Sequence, residues 1–253
     1  MSSNLKIINH AQNEGLGALY ERIMLGRLLK KIVKKYQIKS VLEYGLTYTK
    51  GFDNLHLFNT CEVTLCDPHI TLFQKHYPFS PKPKFSLCSD SNLKPADLIW
   101  SFALLQNNPH YLKKMISCSK KFILVLTPNI LNFGTPIHLF FHLLEHSSCF
   151  HAESGSLSLR TIQGLKSFCQ KQNLKILDSG LIDIPWWPDT AFSIAQMKKI
   201  LIKKSSTKPK KKTKTNPQKL LEKINASAFI ENAPLPKFLK IPFAHHNFVL
   251  GKI

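Results

Sequence analysis

The chain is expected to adopt an α/β fold built on a mainly parallel, seven-stranded sheet with helices on both faces. Two observations predict it. Short, continuous apolar runs of about strand length recur along the sequence, and helix-compatible segments alternate with them. Runs without an inside-outside alternation belong to strands covered on both sides, which is the condition of a parallel sheet in a layered α/β protein.

Each element has its own signal. From Leu19 to Tyr36 apolar residues return at spacings of three and four with lysines between them, the pattern of an amphipathic helix. Ser40–Tyr44 is the first apolar run and is followed at once by Gly45. Further strands are read at Glu62–Cys66, Lys84–Cys88, Asp97–Ser101 and Lys121–Leu126. Asp53–Asn59, His69–His76 and Pro109–Ser117 are the intervening helical segments. The rhythm breaks over 129–160, where Asn, Gly, Pro and His accumulate around a short helix at Pro136–His146. It resumes with a helix at Ser158–Gln172 and a strand at Leu174–Ile184. A Pro185-Trp-Trp-Pro188 turn leads to a helix over Asp189–Lys203. A second helix at Pro217–Glu231 precedes the last strand, His245–Gly251. The expected organisation is one domain over 1–253, comprising an N-terminal helical segment (1–38), a lid insertion (129–160) and a basic helical insertion (188–244).

Composition narrows the class. With 253 residues and 43% apolar content the chain can bury a large core. No apolar run approaches the roughly 20 residues of a membrane span. The N-terminus lacks a basic region followed by an apolar core, so a cytoplasmic protein without a secretory signal is expected. The six cysteines lie in apolar segments with no C-x-x-C pair, which favours buried, reduced thiols. The formal charge of +20 is unevenly distributed: Lys198 to Lys219 contains ten lysines and no acid. Such density belongs in solvent, and it suits RNA or another anionic surface reached through Lys203–Lys219.

Parallel sheets bind ligands beyond the carboxyl ends of their strands. Glu43-Tyr-Gly45-Leu-Thr-Tyr-Thr-Lys-Gly51 follows from the first strand. Asp67 closes the second and Asp90 lies just beyond the third, about 24 and 23 residues apart along the chain. A glycine after the first strand permits a tight turn and close backbone approach. A carboxylate after the second can accept hydrogen bonds from ribose hydroxyls. At these residues the chain resembles the class I S-adenosylmethionine (SAM)-dependent methyltransferases, chiefly over 40–128. The resemblance implies a Rossmann-like sheet whose final strand runs antiparallel, SAM as cofactor, and methyl transfer as the activity. Glu43 and Gly45 match the first motif, while Thr47 and Thr49 stand where later glycines are usual and Gly51 takes part of their role. Asp67 corresponds to the ribose-binding acid and Asp90 to the adenine-side acid. Asp97-Leu-Ile-Trp-Ser-Phe corresponds to the fourth strand, which adds Ser101 to the expected cofactor contacts.

The resemblance also implies that the 129–160 insertion caps the acceptor, so Asn129, Asn132 and His138 are expected to bind substrate. His138, His142 and His146 fall on one helical stripe. Either two of them share an ion, or they line a cavity as polar lid residues. Three along a stripe span about 12 Å, and no metal is assigned. His138 and His142 are the expected bases for an acceptor that must lose a proton. The acceptor is expected to be a small molecule or lipid, with RNA, or a catalytically inactive binder on the same fold, as alternatives.

Overall fold

The computed structural model describes residues 8, 16–45, 57, 60–66, 85–88, 92–105, 108–144, 157–187, 201 and 216–253. In chain order the elements are α1 (Leu16–Lys35), β1 (Ser40–Tyr44), β2 (Glu62–Cys66), β3 (Phe85–Cys88), β4 (Ala96–Phe102), α2 (Tyr111–Cys118), β5 (Ser119–Pro128), α3 (Thr135–Leu144), a 3-10 turn (Leu157–Arg160), α4 (Ile162–Lys171), β6 (Lys175–Ile182), α5 (Pro217–Ser227), α6 (Phe229–Asn232), α7 (Lys237–Lys240) and β7 (His246–Lys252). The strands form a single seven-stranded sheet in the order β3-β2-β1-β4-β5-β7-β6. β1 to β5 pair in parallel, and β7 inserts antiparallel between β5 and β6. The expected fold class is therefore the observed one, final antiparallel strand included.

β4 explains why the sheet needs two covers. All seven of its residues are buried, and alternate side chains enter opposite cores. Leu98, Trp100 and Phe102 pack with Leu19, Ile23 and Leu29 of α1 and with Ile224 of α5. Ile99 packs on the other face with Leu112 and Met115 of α2 and with Leu165 and Cys169 of α4. Fully burying one such large apolar side chain contributes about 1.5–3 kcal/mol. The first helix ends on Lys34 and Lys35, which complement the negative end of its dipole. In α4, Thr161 caps the N-terminus by accepting from Gly164 N, and in α5 Asn216 accepts from Gln218 N ahead of Pro217.

The segment 216–244 does not hang free of this core. Arg27 of α1 donates to Asn225 of α5 at 2.8 Å, and Tyr20 of α1 donates to Glu231 of α6 at 2.9 Å. The long helix expected at 217–231 is divided at Ala228, where α5 gives way to α6. The helices expected at 53–59, 69–76 and 189–203 lie essentially outside the described residues, as does the lysine-rich stretch 203–215.

Candidate functional site

The carboxyl ends of β1 and β4 meet at the middle of the sheet. Gly45 leaves β1 with φ of +83°, in the left-handed region that side chains rarely adopt. Its N–H donates to the Cys66 carbonyl at 2.8 Å, so the turn stays tied to the end of β2. A Cβ built at Gly45 would lie 3.0 Å from Leu104 Cδ2 in the loop after β4. Two constraints, conformation and space, thus fall on one residue. Glu43 is fully buried two residues earlier, and Tyr44 packs edge-on against Tyr111 at 5.4 Å between centroids.

Ser101 sits beside this turn in β4. It is fully buried, and its Oγ has no hydrogen-bond partner among the described residues. Buried hydroxyls are normally paired, so Ser101 Oγ is an exception among the described residues at this edge. Gly51, Asp67 and Asp90, the other residues expected at the cofactor, lie outside the described residues.

Asn129 and Asn132 occupy the turn after β5, and both are buried. The Asn129 carboxamide donates to the Ile241 and Ala244 carbonyls at 2.8 and 2.9 Å and accepts from Leu131 N. That of Asn132 donates to Ala244 at 3.1 Å and accepts from Gly134 N at 2.7 Å. These amides, expected to bind substrate, are engaged with main chain, and they fasten the turn after β5 to the turn before β7. A buried carboxamide must satisfy its donors nearby, and residues more than a hundred positions away supply the acceptors. His138 and His142 fall on α3, but their side chains lie outside the described residues. Around them α3 and its approach expose Leu131, Phe133, Ile137, Phe140 and Leu144.

A polar cluster that sequence reasoning missed lies on the other half of the same edge. Asp183, directly after β6, is buried at φ of +59°. Its Oδ2 lies 3.0 Å from His245 Nδ1 and 3.3 Å from His246 Nδ1. Burial opposes the Asp183 charge, but the two adjacent imidazoles hold its carboxyl below the usual range. Glu21 of α1 approaches His246 Nε2 at 4.0 Å, and the ring of Phe102, the last residue of β4, lies 4.7 Å from that of His246. Beside them burial raises the Glu231 carboxyl, partly countered by the Tyr20 hydroxyl that donates to it. The signal was present as polar residues at the ends of two apolar runs. The register that joins them, with His246 opposite both Pro128 and Ile182, was not.

Four of the six thiols lie among the described side chains. Cys66 and Cys169 are buried, Cys61 and Cys118 are partly so, and none of the four forms a disulfide among the described residues. Burial pushes the Cys169 thiol up to about 12.

No protein-family model matches the sequence, and no curated protein matches it either. Among solved structures the chain is similar to the plantazolicin methyltransferase BpumL in complex with a monoazolic desmethylPZN analog and SAH. Identity is 14%, coverage is 98% of this chain and 89% of that one, and the TM-score is 0.50. It is also similar to the magnesium protoporphyrin IX methyltransferase ChlM of Synechocystis, with bound SAH. There the identity is 8%, the coverage 90% and 81%, and the TM-score 0.45. The strand order and the first of these likenesses define the class: the chain has the class I SAM-dependent methyltransferase fold. Within that fold, the half of the edge formed by β1 and β4 carries the tight glycine turn, and the half formed by β5, β7 and β6 carries the aspartate–histidine cluster.

Proposed function

We propose that the protein is a SAM-dependent methyltransferase whose cofactor lies across the carboxyl ends of β1 and β4. The observation that carries this reading is the Gly45 turn, held against Leu104 beside the buried Ser101 hydroxyl, which has no hydrogen-bond partner among the described residues. It provides a close backbone approach and a buried polar atom, as a nucleoside-bearing ligand requires. Glu43, Gly45 and Ser101 fit such a ligand. Gly51, Asp67 and Asp90 complete the proposed set from the sequence, Asp67 at the ribose and Asp90 near the adenine.

Bound SAM supplies an electrophilic methyl group on a sulfonium. In the transfer the acceptor's electron pair forms the new bond, and the sulfur–carbon pair returns to a neutral thioether. The protein therefore contributes chiefly alignment and exclusion of water. Where the acceptor is a hydroxyl, His138 and His142 of α3 are the proposed bases. A small, largely apolar acceptor or a lipid is favoured, because the lid around them presents Leu131, Phe133, Ile137 and Phe140 to solvent. The lysines of 203–219 support RNA as the second acceptor class. Localisation in the cytoplasm accords with the finding that no described helix is long and apolar enough to cross a membrane.

Isothermal titration of the full chain with S-adenosylhomocysteine and SAM tests the proposal. One molecule bound per chain is expected. Absence of binding by a chain with an intact circular dichroism spectrum overturns it.

A further inference from the structure

Glu21, Asp183 and His246 converge although they come from three separate elements: α1, the end of β6 and the start of β7. One ligand-capable atom from each lies within 4.8 Å of the others. Asp183 is the anchor. Its side chain is 2% exposed, and neither carboxylate oxygen makes a hydrogen bond of good geometry among the described residues. Leaving a carboxylate so placed without a compensating positive charge is costly.

The second observation concerns His245. Its Nε2 lies 3.2 Å from the Trp187 carbonyl oxygen, which can only accept, so Nε2 carries a proton. A neutral His245 then turns an Nδ1 lone pair toward Asp183 Oδ2, 3.0 Å away. His246 Nδ1 faces the same oxygen at 3.3 Å. The His245 nitrogen that faces Asp183 therefore needs either a second proton on that imidazole or a cation close by, whereas His246 can face the same oxygen as a neutral Nδ1–H donor. Ligand atoms around one ion at bond lengths near 2.1 Å stand roughly 3 to 4 Å apart, and the three donors here, one from each residue, lie within 4.8 Å of one another. The Glu21 side chain is 30% exposed, so the cluster opens to solvent on that side.

We propose that Glu21, Asp183 and His246 hold a divalent first-row transition metal, with His245 set against the Asp183 carboxylate. Mixed oxygen and nitrogen donors without thiolate suit Mn2+ or Zn2+. The site lies next to Phe102, on the half of the carboxyl edge away from Gly45. On the methyltransferase reading above, on which this consequence rests, an ion there takes an oxygen-bearing acceptor as a further ligand. Metal binding itself does not depend on that reading.

The test is titration of the metal-stripped full chain with Mn2+ and, separately, Zn2+, followed by calorimetry and thermal melting. One Mn2+ per chain and a melting temperature that rises with the ion and falls back with EDTA are expected. Glu21→Gln, at the partly exposed ligand, is expected to weaken Mn2+ at least about tenfold without changing the metal-free melting temperature. His246→Gln is expected to weaken it further. Failure of the wild type to bind either ion, or binding that Glu21→Gln and His246→Gln leave intact, overturns the site and leaves the histidines as protonated partners of Asp183. S-adenosylhomocysteine binding, measured on the same samples, separates that failure from failure of the methyltransferase proposal.

Discussion

Gly45 is held by two requirements that no other residue type meets together. Its φ of +83° costs an L-residue about 1–2 kcal/mol, and Leu104 already occupies the space a Cβ would enter. Gly45→Ala is therefore expected to lower stability by about 1–2 kcal/mol in urea unfolding. It should also weaken S-adenosylhomocysteine by more than that strain explains, because the turn beside Ser101 must shift. Retained affinity in calorimetry would place the cofactor elsewhere on the edge. Sequence alone pointed to Glu43 and Gly45, since an acid and a glycine ending an apolar run are a local pattern. Ser101 was expected only through the resemblance of the fourth strand, and what the sequence could not show is that its buried hydroxyl has no partner among the described residues. Nor could it assign Asn129 and Asn132, whose bonding partners near Ala244 are contributed by a distant turn.

Between elements, Asp97 ties three strands together at the opposite, amino edge. Its Oδ2 accepts from Lys39 N at 3.0 Å, just before β1, and Lys121 of β5 lies 3.3 Å from its Oδ1. Burial opposes its ionisation, but the Lys39 amide and the Lys121 ammonium prevail and hold its carboxyl below the usual range. A carboxyl lowered in the folded state adds stability above its unfolded pKa, near 3.9, and loses it as pH falls through the folded value. Asp97→Asn is accordingly expected to cost about 1–2 kcal/mol at pH 7. The gap between variant and wild type should narrow below about pH 4. A gap independent of pH in parallel denaturation curves would mean that the charge is not what matters. The strands themselves were readable to within two residues at most ends, because continuous apolar runs leave few alternatives. Helix breaks such as the one at Ala228 were not, because α6 is positioned by the Tyr20 contact to Glu231 rather than by a local stop signal.

Across the whole molecule, the lysine-rich stretch and the proposed cofactor site are separated in sequence. Deleting 203–214 removes seven lysines, and if RNA is the acceptor the salt slope of binding should fall steeply, since each neutralised phosphate contributes to it. The deletion should leave S-adenosylhomocysteine affinity unchanged, because Glu43, Gly45 and Ser101 belong to the central strands. An unaltered slope in salt-titrated binding would remove the lysines from the interface. The sequence by itself determined the α/β class, the seven strands and the acid-glycine turn after the first of them. All of these depend on local apolar runs and on the residues that end them. Only the tertiary structure decided that Asp183, His245, His246 and Glu21 share one cluster, and that Asn129 and Asn132 brace the turn after β5 against the turn before β7. Those contacts are made by antiparallel insertion of β7 between β5 and β6 and by packing of α1 across the sheet, and no local pattern encodes which distant strand ends will meet.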